Sequence, residues 1–239
     1  MKYTIASQIS ALFIAAGTAQ GTTTANLLVD PGYENNALVA YSAVWTSNFA
    51  TQQGDWGTEA GSILSTTTDG VTPINSKMLG ITNFGGGTAS QTIQATNISL
   101  TPNSGDGTAT FNMSARFTLG GGVLGGFAGG NAAIVARFFT GSSNALPNTT
   151  SIMSSSLVLD SDSKSWEPLT LTGTIPTGTT WMVMEVLYNN ESIGSNTGYV
   201  DDASFTITTI PEPSGYALLG LGACVLISRR RRGQACLER

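Results

Sequence analysis

Short stretches of alternating apolar and polar residues, separated by glycine, asparagine and proline, govern what this chain can fold into. Thr108 to Leu119 sets Phe111, Met113, Ala115 and Phe117 on one side. Trp181 to Tyr188 puts Trp181, Val183, Glu185 and Leu187 on one face and Met182, Met184, Val186 and Tyr188 on the other. Side chains alternate across a strand with period two, so each stretch reads as a half-buried strand. Ala89 to Ile98, Ser151 to Leu159 (Ile152, Leu157 and Leu159), Trp166 to Ile175 and Tyr199 to Ile207 follow the same rule. Ala132 to Phe139 is more continuously apolar, as expected of a central strand. Pro176-Thr177-Gly178 is a turn signal. Helical periodicity is confined to the two ends. The expected fold class is all-β, an antiparallel β-sandwich formed by residues 26–208.

The two ends read as addresses. Met1-Lys2 is weakly basic, Ile5 to Ala16 is apolar, and small residues follow through Ala19-Gln20-Gly21. That order is a signal peptide over residues 1–21, with cleavage open after Ala19, Gly21 or Ala25. At the other end stand Pro211-Glu212-Pro213, an apolar stretch from Tyr216 to Ile227, and Arg229, Arg230, Arg231 and Arg232. The prolines stop a strand, and the arginines resist translocation. A dozen residues at about 1.5 Å each reach about 18 Å, short of an apolar bilayer core of about 30 Å. Gly220 and Gly222 weaken a helix there further. This tail, residues 210–232, resembles the PEP-CTERM sorting signal of Gram-negative bacteria. The resemblance implies an exosortase that reads Pro211-Glu212-Pro213, a short transmembrane helix that holds residues 216–228 transiently in the inner membrane, and delivery to the cell surface or the medium. Residues 233–239 would be a cytoplasmic tail, longer than usual for that signal.

Composition removes several chemistries from the delivered part. The chain has no histidine, and both cysteines, Cys224 and Cys236, lie in the tail. Histidine bases, thiol nucleophiles, haem ligation and histidine or thiolate zinc sites are therefore excluded there. Between residues 26 and 210 the cations are Lys77, Arg116, Arg137 and Lys164, against thirteen carboxylates, a balance of −9. A nucleic-acid binder needs clustered cations, so that class is excluded as well.

Asn26-Leu27-Leu28-Val29-Asp30-Pro31-Gly32-Tyr33-Glu34, with Trp45 further on, resembles the opening of the galactose-binding-like, carbohydrate-binding-module jelly rolls. Trp166-Glu167-Pro168-Leu169-Thr170, Gly173 to Pro176, the Trp181 strand and Tyr199-Val200-Asp201-Asp202-Ala203-Ser204-Phe205 resemble the closing half of that fold. The resemblance implies a jelly-roll order of strands, with the first and last close together. It also implies a structural calcium ion between them, with Glu34, Asp201 and Asp202 as ligands and Asp30 nearby.

Sugar rings stack on exposed aromatics while their hydroxyls bond polar side chains. Trp56, between Asp55 and Gly57, is the expected exposed platform, with Tyr41 and Asp55 beside it. Trp45 and Trp166 read instead as core residues. Gly120 to Gly130 fits G-x-G-x-x-G, yet a strand-like run follows where a dinucleotide site needs a helix, so it reads as a hairpin loop. The pairs Asp160/Asp162 and Asp55/Glu59 are poor glycosidase acids, the first pair because it lies in a solvated turn. Glu185, in mid-strand, is costly unless paired or exposed, and Arg116 or Arg137 could pair with it. Sequons at Asn97, Asn112, Asn148 and Asn190 are weak evidence for glycosylation. The sequence thus points to an exported, non-enzymatic surface or matrix protein with exopolysaccharide as a natural partner. A glycan-binding module and, further off, a polysaccharide hydrolase are the alternatives.

Overall fold

The structure is a computed structural model that describes residues 21–35, 38–40, 56–58, 61–82, 88–96, 109–120, 130–139, 149–160, 162–179, 181–190 and 197–209. Its strands are β1 (Thr22–Thr23), β2 (Leu38–Ala40), β3 (Trp56–Thr58), β4 (Gly61–Leu64), β5 (Met78–Thr82), β6 (Thr88–Thr96), β7 (Thr110–Leu119), β8 (Gly130–Phe139), β9 (Thr149–Leu159), β10 (Glu167–Thr174), β11 (Trp181–Asn190) and β12 (Thr197–Thr209). No helix occurs among the described residues. Residues Thr23–Thr208 form one compact unit, and of the second, terminal unit only Gly21, Thr22 and Thr209 are described.

One sheet runs β10-β7-β12-β5-β4, with β1 on the free edge of β12, and the other runs β6-β11-β8-β9. All pairings in these two sheets are antiparallel where register is defined, while β2 and β3 form a small parallel pair. From β5 onward the chain crosses between the sheets at every step except the β8–β9 hairpin. That alternation is the jelly-roll plan: an all-β double sheet closed by crossings. The glycine-rich segment between β7 and β8 is therefore a crossover, because those strands lie in different sheets. The hairpin expected there does not form.

The core is the set of inward faces the alternation predicts. Phe111, Met113, Ala115 and Phe117 of β7 face Met182, Met184, Val186 and Tyr188 of β11 and Ala132, Ile134, Ala136 and Phe138 of β8. Phe111 and Phe138 meet edge to face across the sandwich, with ring centroids 5.5 Å apart. β8 is central, between β11 and β9, as its apolar run implies. On β9, Leu159 belongs to the core and Leu157, half-buried, packs against it.

Strict alternation breaks on β12, where the register slips between Asp201 and Ser204, with Asp202 at φ +50°. Before the slip Val200 faces the core, and after it Ala203, Phe205 and Ile207 do. The extra residue of a bulge switches facing parity. The far edge of β12 is taken by the N-terminal segment: Thr24 N and Leu27 N donate to Ile207 O and Phe205 O. The first and last segments of the fold thus lie side by side.

Candidate functional site

Pro211, Glu212, Pro213, Arg229 to Arg232, Tyr41, Trp45 and Asp55 lie outside the described residues. Trp56 does not, and it is not a platform. Its side chain is 1% exposed and belongs to the core. It packs on Tyr33 with centroids 4.8 Å apart, and its Nε1 donates to Asp30 O at 2.7 Å. The polar neighbours Asp55 and Gly57 suggest a loop, but pairing of β3 with β2 turns the ring inward. Trp166 is half-buried, packs on the small cluster of Val71, Met78 and Tyr199, and donates from Nε1 to Thr72 O at 3.1 Å.

Glu34 and Asp201 come close enough for Glu34 to raise the Asp201 pKa, but Asp202 does not join them as a third ligand. The bulge turns Asp202 outward, where Oδ2 meets Arg116 Nε at 3.3 Å. Asp201 is fully buried, Oδ2 accepting from Ile74 N at 2.9 Å and Oδ1 from Asp202 N at 2.7 Å. Glu34 accepts from Ser76 Oγ, Ser76 N and Lys77 N, and the Lys77 ammonium donates to Glu34 O. Calcium needs six to eight oxygens. Here the carboxylate oxygens accept from N–H and O–H donors, an ammonium group sits at the Glu34 carbonyl, and no three acidic side chains converge among the described residues. These contacts form a clasp joining residues 30–35, the 74–77 loop and β12. Burial pushes the Asp201 carboxyl up to about 6, with the charges of Glu34 and Asp202 adding to it against the two backbone N–H bonds. The Ser76 hydroxyl, ahead of the two backbone N–H groups, holds Glu34 below its ordinary value.

A different set of residues makes the most site-like surface. On the outer face of the four-stranded sheet, β9 shows exposed Ser154, Ser156 and Val158, Val158 at 72%. Beside them on β8, Asn131, Ala133 and Arg137 are half-buried. On β11, Val183 and Glu185 are fully buried. Exposure thus falls across this face from the small side chains of β9 to the charged pair of β8 and β11. Arg137 Nε meets Glu185 Oε1 at 2.8 Å. Val135, Phe139 and Val183 are the apolar members of the same face. The sequence offered Arg137 as one partner for Glu185; cross-strand register selects it over Arg116, which lies in the other sheet. The serine ledge was missed, because serines on an edge strand carry no local signal of what lies beside them.

No protein-family model matches the sequence, and no curated protein matches it. The PEP-CTERM reading of the tail therefore rests on its own residues. Solved structures resemble the fold. Family 16 Carbohydrate Binding Module-2 aligns at TM-score 0.43 and 15% identity, over 75% of this chain and 99% of its own. TmCBM61, solved with β-1,4-galactotriose, aligns at 0.43 and 12%, over 76% and 98%. A cyclase from Fischerella sp. TAU, solved with 4-(1H-indol-3-yl)butan-2-one, aligns at 0.47 and 15%, over 79% and 100%. Binding modules and a cyclase occur together among these neighbours, and at such scores none carries a ligand or an activity over to this chain.

Proposed function

We propose that this chain is an exported, non-enzymatic glycan-binding protein of the bacterial surface, in which the sandwich binds and the two ends deliver it. The observation behind the binding reading is the graded face of the four-stranded sheet. A buried ion pair stabilises little, since desolvation offsets its attraction. Well-packed apolar residues at 137 and 185 would serve the fold as well or better. A guanidinium held in place by a buried carboxylate, with Asn131, Ser154 and Ser156 along the approach, supplies a few fixed polar groups beside apolar surface. That is the chemistry a sugar ring requires. Arg137 is the hydroxyl-binding group in this reading, and Glu185 is its positioning residue.

Delivery follows from the ends: a signal peptide at residues 1–21, and exosortase cutting near Pro211-Glu212-Pro213 after a transient stop in the inner membrane. Exopolysaccharide is the partner such a route brings within reach. Affinity electrophoresis of the full chain in gels carrying soluble polysaccharides tests the binding. Retardation by at least one polysaccharide, reduced about tenfold in Ser156→Trp, which blocks the ledge, is expected. Equal mobility in every gel overturns the proposal.

A further inference from the structure

β1 is only two residues long, yet the chain that follows it stays on the outer edge of β12. Thr24 N donates to Ile207 O at 2.9 Å, and Ile207 N donates back to Thr24 Oγ1 at 3.0 Å. Asn26 repeats the device with its amide: Nδ2 donates to Ala203 O at 3.0 Å, and Oδ1 accepts from Phe205 N at 2.9 Å. Leu27 N donates to Phe205 O at 2.8 Å, and the hydroxyls of Thr23 and Thr208 meet at 2.8 Å. A regular ladder is made by backbone groups alone. Here two side chains stand in for backbone, so the contact depends on which residues occupy positions 24 and 26.

This arm is lightly held. Residues 21–26 are all exposed, so no apolar burial keeps them in place, and each hydrogen bond exchanged with water contributes little. The apolar anchor comes later, at half-buried Leu27 and buried Leu28. Ahead of that anchor the arm lifts far more readily than the sandwich unfolds. On its other edge the same stretch of β12 pairs with β7, from Ser204 opposite Ser114 to Thr208 opposite Thr110. With the arm seated, both edges of this stretch are taken. With it lifted, Phe205 and Ile207 present unpaired N–H and C=O groups. Thr208 stands three residues before Pro211.

We infer that the arm from Thr23 to Leu27 is a latch on the sorting cut: it covers the edge of β12 just ahead of the motif, and the chain is cut from the state in which the arm is lifted. The inference rests on the sorting reading of the tail. A protease cleft takes its substrate extended, and main-chain hydrogen bonds to a free strand edge hold such a segment. Cutting from a locally opened state follows the population of that state. The latch also bears on the front of the chain. Signal-peptide cleavage after Ala19 or Gly21 keeps the arm, whereas cleavage after Ala25 removes Thr23 and Thr24. The mature chain therefore begins at or before Thr22.

The test is pulse-labelling in native cells, following loss of the tail from the full chain. Thr24→Val with Asn26→Ala removes the side-chain bonds at exposed positions and leaves the core untouched. Its tail should be lost at least about fivefold faster than that of wild type. Thr23→Cys with Thr208→Cys, bridged in the oxidising space outside the inner membrane, should be cut at least about tenfold more slowly. A thiol reductant should restore the rate, with each cysteine alone as the baseline. Ile134→Val, a core change in the other sheet, should stay within about twofold of wild type, which separates release of the arm from general loosening. The inference is overturned by a wild-type rate in the Thr24→Val, Asn26→Ala chain, or by a bridged chain cut as fast as its reduced form. Ile134→Val speeding the cut as much as the arm variant also overturns it, as does a mature chain that begins at Asn26. Wild type that keeps its tail throughout overturns the sorting reading itself, and the latch falls with it.

Discussion

At Glu185 a carboxylate with no exposed surface meets the Arg137 guanidinium, which is 15% exposed. Removing one partner leaves a buried charge, and that costs about 3–5 kcal/mol. Arg137→Met should therefore destabilise by that amount in chemical denaturation. Arg137→Met with Glu185→Leu should recover most of it. A double variant as weak as the single one would show that the pair is not the source of the loss. Asp201 gives a pH signature. Its folded-state pKa, about 6, lies above the ordinary carboxyl value of about 3.9, so the folded protein holds that proton more tightly. Its contribution to stability therefore rises as pH falls from about 7 towards about 4. Glu34, held low by Ser76, works the other way and loses its contribution below its ordinary value of about 4.3. Tm should increase from pH 7 to pH 5, and Asp201→Asn should flatten that increase. Parallel profiles for the two proteins would refute it.

Among the elements, two glycines make room for Tyr188 of β11: Gly198 on β12, in the other sheet, and Gly130 on β8, beside it in its own sheet. A Cβ on Gly198 would come within 2.3 Å of Tyr188 Cγ, and one on Gly130 within 2.5 Å of Tyr188 Cε2. The ring packs directly against backbone at both positions, so a side chain at either one would have to displace it. Gly198→Ala should cost about 1–3 kcal/mol, as overpacking does. Tyr188→Leu in the same chain should relieve part of it, read as a coupling energy in a double-mutant cycle. The strands themselves were legible: β6 through β12 fall where alternation sets them, and the inward faces of β7 and β11 follow from it residue by residue. β4 and β5 were not, being short runs without clear alternation. The bulge at Asp201 to Ser204 was also invisible, because a parity switch leaves no trace in composition. It is this switch that sends Asp202 to Arg116 and separates it from Asp201 and Glu34.

For the whole molecule, the prediction concerns processing. Intact-mass analysis of the protein from native cells should find a body ending near residue 211 in the outer layer or the medium. Pro211→Ala with Pro213→Ala should hold the full chain in the inner membrane. Recovery of wild type only as a full-length membrane chain would end the sorting reading.

By itself the sequence determined the class of the fold and the side-chain chemistries the domain lacks. Each of these is carried by local order or by residue counts. Tertiary structure decided which residues share a surface. Trp56 went to the core because pairing with β2 and a bond to Asp30 outweigh its polar neighbours. Arg137 reached Glu185 because strand register brings distant residues side by side. Register depends on which strands pair, and that is a property of the whole sandwich rather than of any one segment.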